Sequence, residues 1–95
     1  MVTKLAPLFK TLSDANRLKI LNFVHNRQLK CADADCACMK DISKQLDIGM
    51  PTISHHVKGL VQAGLLTVRK QGRWSYLEVE PKQFEKLEKF ITLFT

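Results

Sequence analysis

The chain has 95 residues, 45% of them hydrophobic and 25% charged, with 15 Lys and Arg against 9 Asp and Glu for a formal charge of +6. At roughly 100–200 residues per domain this is a single domain spanning residues 1–95; it has no room for a separate catalytic unit, and it is too apolar to be a disordered basic tail. No run approaches the roughly 18 apolar residues of a membrane span and no signal-peptide core opens the chain, so a cytoplasmic protein is expected, with Cys31, Cys36 and Cys38 as reduced thiols.

Val2, Leu5, Leu8, Phe9 and Leu12 recur at helical spacing and predict a first amphipathic helix, interrupted at its start by Pro7. Ser13 and Asp14 supply an N-cap for a second helix, with Leu18, Ile20, Leu21 and Val24 as its apolar stripe. Over residues 28–38 the periodicity is lost and a loop is expected. A short helix follows over residues 41–46, with Ile42 and Leu46 inward. It ends at Asp47-Ile48-Gly49-Met50, where Gly49 is expected to provide the positive φ of a tight helix-to-helix turn.

Pro51 suits the first turn of the next helix. There Ile53, Val57 and Leu60 stand at i, i+4 and i+7 and face the core, which leaves Thr52, His55, Lys58 and Gln62 outward until Gly64 ends the helix. Residues 65–69 and 74–79 are rich in β-branched and aromatic side chains and flank Lys70-Gln71-Gly72-Arg73, so they predict a β-hairpin with a basic tip. Trp74 and Tyr76 alternate on one face of it and are expected in the core. Pro81 opens a last helix whose Phe84, Leu87, Phe90, Ile91 and Phe94 are too apolar for an exposed surface. The first and last helices are therefore expected to act as dimerisation elements.

The charge is local. Residues 48–77 contain no Asp or Glu, yet they hold Lys58, Arg69, Lys70 and Arg73 with His55 and His56. An acid-free basic segment is the expected footprint of a polyanion surface. A short helix, a turn, a helix with a polar outer face and a basic hairpin form a winged helix-turn-helix, mainly α with a β-hairpin wing. In that arrangement the second helix enters the major groove of duplex DNA and the wing lies along the phosphates.

The segment Leu8-Phe9-Lys10-Thr11-Leu12-Ser13-Asp14-Ala15-Asn16-Arg17-Leu18-Lys19-Ile20-Leu21 is similar to the opening of the ArsR/SmtB metal-responsive repressors. Thr52-Ile53-Ser54-His55-His56-Val57-Lys58-Gly59-Leu60 resembles their recognition helix, and Ala63 through Leu77 their wing. The resemblance covers nearly the whole chain. It implies a homodimer, joined largely through its first and last helices, that represses transcription from a two-fold operator and is released by a metal ion; such a protein is not an enzyme. On this reading Thr52, Ser54, His55 and Lys58 present to the groove, while Arg69, Lys70 and Arg73 contact phosphates or the minor groove. His56 falls on the family's recurring histidine and lies on the core side, where a packing role is expected.

Cys36-Ala37-Cys38 resembles the family's C-x-C box, shifted two residues by Met39 and Lys40 and preceded by a longer loop that adds Cys31. Thiolates select soft ions, As(III) and Sb(III) foremost, with Cd(II), Zn(II), Hg(II), Pb(II) and Cu(I) as further inducers. Three thiolates match a trigonal-pyramidal As(III) centre; a tetrahedral ion needs a fourth ligand from His25, Asp33, Asp35 or the partner chain. Within a helix, residues i and i+2 stand about 200° apart and cannot share an ion, so the pair must lie in non-helical chain or at a helix edge. No histidine follows His56, so the family's other metal site, on the last helix, is expected to be absent. Two other readings of the chain stand beside metal binding: a thiol redox switch, and a constitutive DNA-binding repressor with incidental cysteines.

Overall fold

Asp14 begins the second helix as expected: its Oδ1 accepts the backbone N–H groups of Asn16 (2.8 Å) and Arg17 (3.4 Å), two donors that a helix N-terminus otherwise leaves unpaired. The computed structural model describes residues 2–27, 29–31, 36–72 and 74–95, and of residues 2, 27, 29–31, 36–38, 70–71 and 74–75 it describes the backbone. The elements run α1 Val2–Leu12, α2 Ala15–Arg27, β1 Leu29–Cys31, α3 Cys36–Leu46, α4 Met50–Gln62, β2 Leu66–Gln71, β3 Trp74–Val79 and α5 Pro81–Thr92. Helix α1 continues through Pro7 rather than breaking at it. Among the described residues no helix is long and apolar enough to cross a membrane.

The core is drawn from every helix and from the hairpin. Leu5 and Leu8 of α1, Ile20, Leu21 and Val24 of α2, Ile42 of α3 and Ile53, Val57 and Leu60 of α4 meet Leu65, Leu66, Leu77 and Leu87. Each such side chain taken from water contributes about 1.5–3 kcal/mol. Leu18, expected in the α2 stripe, is instead 49% exposed. It stands two residues from Ile20, about 200° around the helix, and cannot share the inward face.

Two features were not expected. Leu29–Cys31 is a short strand that adds to the hairpin, giving an antiparallel sheet in the order β1-β3-β2. Helix α3 begins at Cys36, five residues before the expected start, because Met39 packs on the core in helical register with Ile42 and Leu46.

The ends of α4 set its position. At the α3–α4 turn the positive φ falls on Asp47 (53°), whereas Gly49 is extended (φ −58°, ψ 146°) and serves as the N-cap, which corrects the expectation for Gly49. The Ser43 hydroxyl donates to the Ile48 carbonyl, and the Ile48 N–H donates to the Ser43 carbonyl (3.2 Å), closing the turn. At the far end Gly64 takes φ +75°; Leu65 N–H donates to Leu60 O and Gly64 N–H to Val61 O, both at 3.0 Å. This is the glycine-capped ending in which the residue after the cap packs on the last turn, here Leu65 and Leu60, both fully buried.

Helix α5 does two things. Glu80 caps it by accepting from Lys82 N–H (3.1 Å), and Phe84, Leu87 and Phe90 along one face of it close the core. Phe90 meets Phe9 of α1 edge-on at 5.8 Å. The end of the chain is uncovered: Ile91, near the end of α5, is 51% exposed and Phe94, just beyond the helix, 75%.

Candidate nucleic-acid interface and cysteine segment

Helix α4 separates its faces by turn geometry. Ile53, Val57 and Leu60 anchor one side in the core, and Thr52, Ser54, His55 and Lys58 are all exposed on the other, as expected. The outward set offers hydroxyl, imidazole and ammonium groups at successive turns, the functional groups that read base edges and phosphates. No acid interrupts it.

His56 is buried at 8% exposure and has a defined partner. Arg17 Nε donates to His56 Nδ1 across 3.1 Å, and His56 Nε2 lies 3.9 Å from Asp14 Oδ1. The packing role expected for this histidine is therefore borne out, through a polar contact from α2 that the sequence reading missed. The available signal was Asp14 and Arg17 three residues apart at a helix start, which places both on one edge of α2.

In the wing, β2 and β3 pair from Leu66↔Val79 to Gln71↔Trp74, so the strands extend to the turn and Gly72 sits in it with φ +62°. Leu66 and Leu77 lie buried on one face. Arg69, Tyr76 and Glu78 share the other: the Arg69 guanidinium stacks 4.3 Å over the Tyr76 ring, and its Nη2 is 3.1 Å from Glu78 Oε1. The expectation that Tyr76 is core is thus corrected, since strand alternation gives the inward position to Leu77 and leaves Tyr76 half-buried under Arg69. Arg69 is at the surface as expected, held by an acid just beyond the acid-free stretch. The side chains of Lys70 and Trp74, and the whole of Arg73, lie outside the described residues.

Cys31 ends β1, where it pairs with Ser75 of β3, and Cys36 begins α3, which packs on β1. The loop expected through Cys38 is corrected: Cys36 and Cys38 both lie in the first turn of α3. That turn is the edge of the helix, the place where residues i and i+2 can converge on one ion if the turn opens. The three thiols, and Asp33 and Asp35, lie outside the described side chains; among the described residues no three His, Cys, Asp or Glu side chains are grouped to hold a metal.

A family model described as "Helix-turn-helix domain" matches residues 12–69. The arsenical resistance operon repressor of Staphylococcus aureus is 41% identical over 69 residues, which are 73% of this chain and 59% of that one. The chain thus spans about three fifths of the length of that relative. An uncharacterized HTH-type transcriptional regulator of Methanocaldococcus jannaschii, MJ1325, is 31% identical over 88 residues, 93% of this chain and 91% of that one. Among solved structures, the homodimeric winged helix-turn-helix DNA-binding domain of a possible ArsR-family regulator from Mycobacterium bovis superposes with a TM-score of 0.68 at 18% identity, covering 98% of this chain and 79% of that one.

Proposed function

The chain belongs to the ArsR family of winged helix-turn-helix transcriptional regulators, and from that premise we propose that it is a homodimeric repressor released from its operator by a thiophilic metal(loid), As(III) first among them, bound through Cys31, Cys36 and Cys38. The observation that carries this reading is the place of the cysteines: one at the end of β1 and two in the first turn of α3, the helix joined to α4 by the three-residue turn at Asp47. The arsenical repressor relative supports the choice of ion.

On this reading α4 enters the major groove with Thr52, Ser54, His55 and Lys58, and the wing positions the protein on the backbone with Arg69, Lys70 and Arg73. The uncovered Ile91 of α5 and Phe94 just beyond it, beside Phe9 and Phe90, supply an apolar surface that a second copy buries. Dimer geometry then sets two α4 helices about one turn of DNA apart.

A donor set of three thiols suits a soft ion of low coordination number. The N-terminal end of α3 favours negative charge, and so thiolates, in its first turn. Because residues i and i+2 of a regular turn point apart, ligand binding favours a state with this edge of α3 opened and α4 displaced. A coupling of about 1–3 kcal/mol lowers operator affinity roughly 5–150-fold.

The test is a gel-shift titration with As(III), Cd(II), Zn(II) and peroxide on the wild type and on Cys31→Ser, Cys36→Ser and Cys38→Ser. Release by As(III) that each serine substitution abolishes supports the reading. Release by peroxide and by no metal replaces it with a redox switch, and unchanged affinity throughout leaves a repressor without an inducer.

A further inference from the structure

Arg17 of α2 touches two other helices. From the first turn of α2 its Nη1 donates to the Thr11 carbonyl at the end of α1 (3.4 Å), and its Nε donates to His56 Nδ1 on α4 (3.1 Å). Its guanidinium also lies against Gly59, where an added Cβ would meet Nη2 at 3.3 Å and Cζ at 3.5 Å. A planar donor fork on a half-buried stem is suited to this, because its donors point in fixed directions. His56, for its part, stands between Ser54 and His55 on one side and Lys58 on the other, all exposed. The rotation of α4 about its own axis, and with it the direction of those side chains, is therefore held at His56.

We infer that Arg17 is a positioning residue for DNA binding: it locks the reading helix α4, through His56 and the space left by Gly59, to the end of α1. The inference rests on the reading of α4 as the DNA-reading helix. Since α1 belongs to the proposed dimer surface, the same contact transmits the geometry of the dimer to α4. The lock needs His56 Nδ1 unprotonated, with the ring proton on Nε2 toward Asp14. Among the described residues the charged or titratable groups facing His56 are Arg17 of α2, Asp14 at the N-cap of that helix and His55, whose ring centroid is 5.5 Å away on α4.

The experiment measures binding to a duplex selected from a random pool by the wild-type protein, together with Tm, for Arg17→Gln, His56→Leu, the double variant, His56→Gln and Lys58→Ala. Loss of a hydrogen bond to a charged group predicts about tenfold weaker binding for Arg17→Gln and for His56→Leu at temperatures where both are folded. The double variant is no weaker than either single one, and His56→Gln, whose carbonyl still accepts from Arg17, recovers wild-type affinity. Nitrogen-15 shifts show the Nε2–H tautomer of His56 in the wild type and a tautomer mixture in Arg17→Gln. Additive losses, or full affinity in a folded Arg17→Gln, overturn the inference. If Lys58→Ala also binds at full strength, the reading of α4 falls first and the inference with it; if Lys58→Ala is weakened and Arg17→Gln is not, only the inference falls.

Discussion

Arg69 and Glu78 face each other across the wing, the guanidinium Nη2 3.1 Å from the carboxylate Oε1. Both side chains are about half exposed, so the pair contributes at most about 1 kcal/mol to folding. Its larger effect is on DNA, since Glu78 competes with phosphate for the Arg69 charge. Glu78→Gln is predicted to leave Tm nearly unchanged, to tighten DNA binding at low salt, and to steepen the dependence of log K on log salt by up to about one unit. Binding isotherms at a series of salt concentrations check this.

Gly64 has φ +75°, and a Cβ there would stand 2.6 Å from Gln83 Nε2, which donates to the Ala63 carbonyl (3.1 Å). Gly64→Ala is predicted to cost about 1–3 kcal/mol from backbone strain, besides the displaced Gln83. Truncation of Gln83 to Ala in the same chain recovers only the steric part. Thermal denaturation of the two variants separates the contributions.

The Asp14 carboxyl is subject to opposing effects. Partial desolvation raises its pKa, but the N–H groups of Asn16 and Arg17, and the charges of Arg17 and of His56 when protonated, outweigh it and hold the pKa below the ordinary 3.8. A carboxylate with a depressed folded-state pKa stabilises the fold fully above its unfolded value, and that stabilisation is lost as pH falls through the folded value. The wild type is therefore predicted to lose Tm more steeply than Asp14→Asn below about pH 4, because asparagine caps a helix but does not titrate. Equal slopes in a pH series of melts would contradict this.

Ile91→Asp places a charge at the uncovered end of α5, and Phe94→Asp just beyond it, without touching a buried core position. Each is predicted to shift the protein from dimer to monomer in sedimentation at micromolar concentration. Operator affinity falls with it, since a single half-site contact loses the effective concentration supplied by its partner. A monomeric wild type would overturn the dimer, and dimeric variants would show that its interface lies elsewhere.

Much of this was legible in the sequence because one period governs each segment. Ile53, Val57 and Leu60 mark the inward face of α4 and leave Thr52, His55, Lys58 and Gln62 outward, as found. Glycine was a poorer guide at the α3–α4 turn, where Asp47 takes the left-handed conformation that aspartate tolerates and Gly49 acts as a cap. Strand β1 has three residues, too few to show alternation, and its pairing with β3 is set by tertiary contact. The early start of α3 was masked by reading Cys36 and Cys38 as loop chemistry, although Met39, Ile42 and Leu46 already kept helical register. The Arg17–His56 contact spans 39 residues, and the spacing of Asp14 and Arg17 at the start of α2 marks one side of it but not its partner on α4.

The central claim is that filling the cysteine site and holding operator DNA exclude each other. It is tested most directly by titrating As(III) into the dimer bound to a fluorescently labelled operator duplex, following DNA anisotropy and arsenic–thiolate absorbance in the same cuvette. The account predicts that absorbance rises and anisotropy falls together, saturating at one As(III) per subunit, and that Cys36→Ser abolishes both changes. Absorbance that saturates while the duplex stays bound would contradict it.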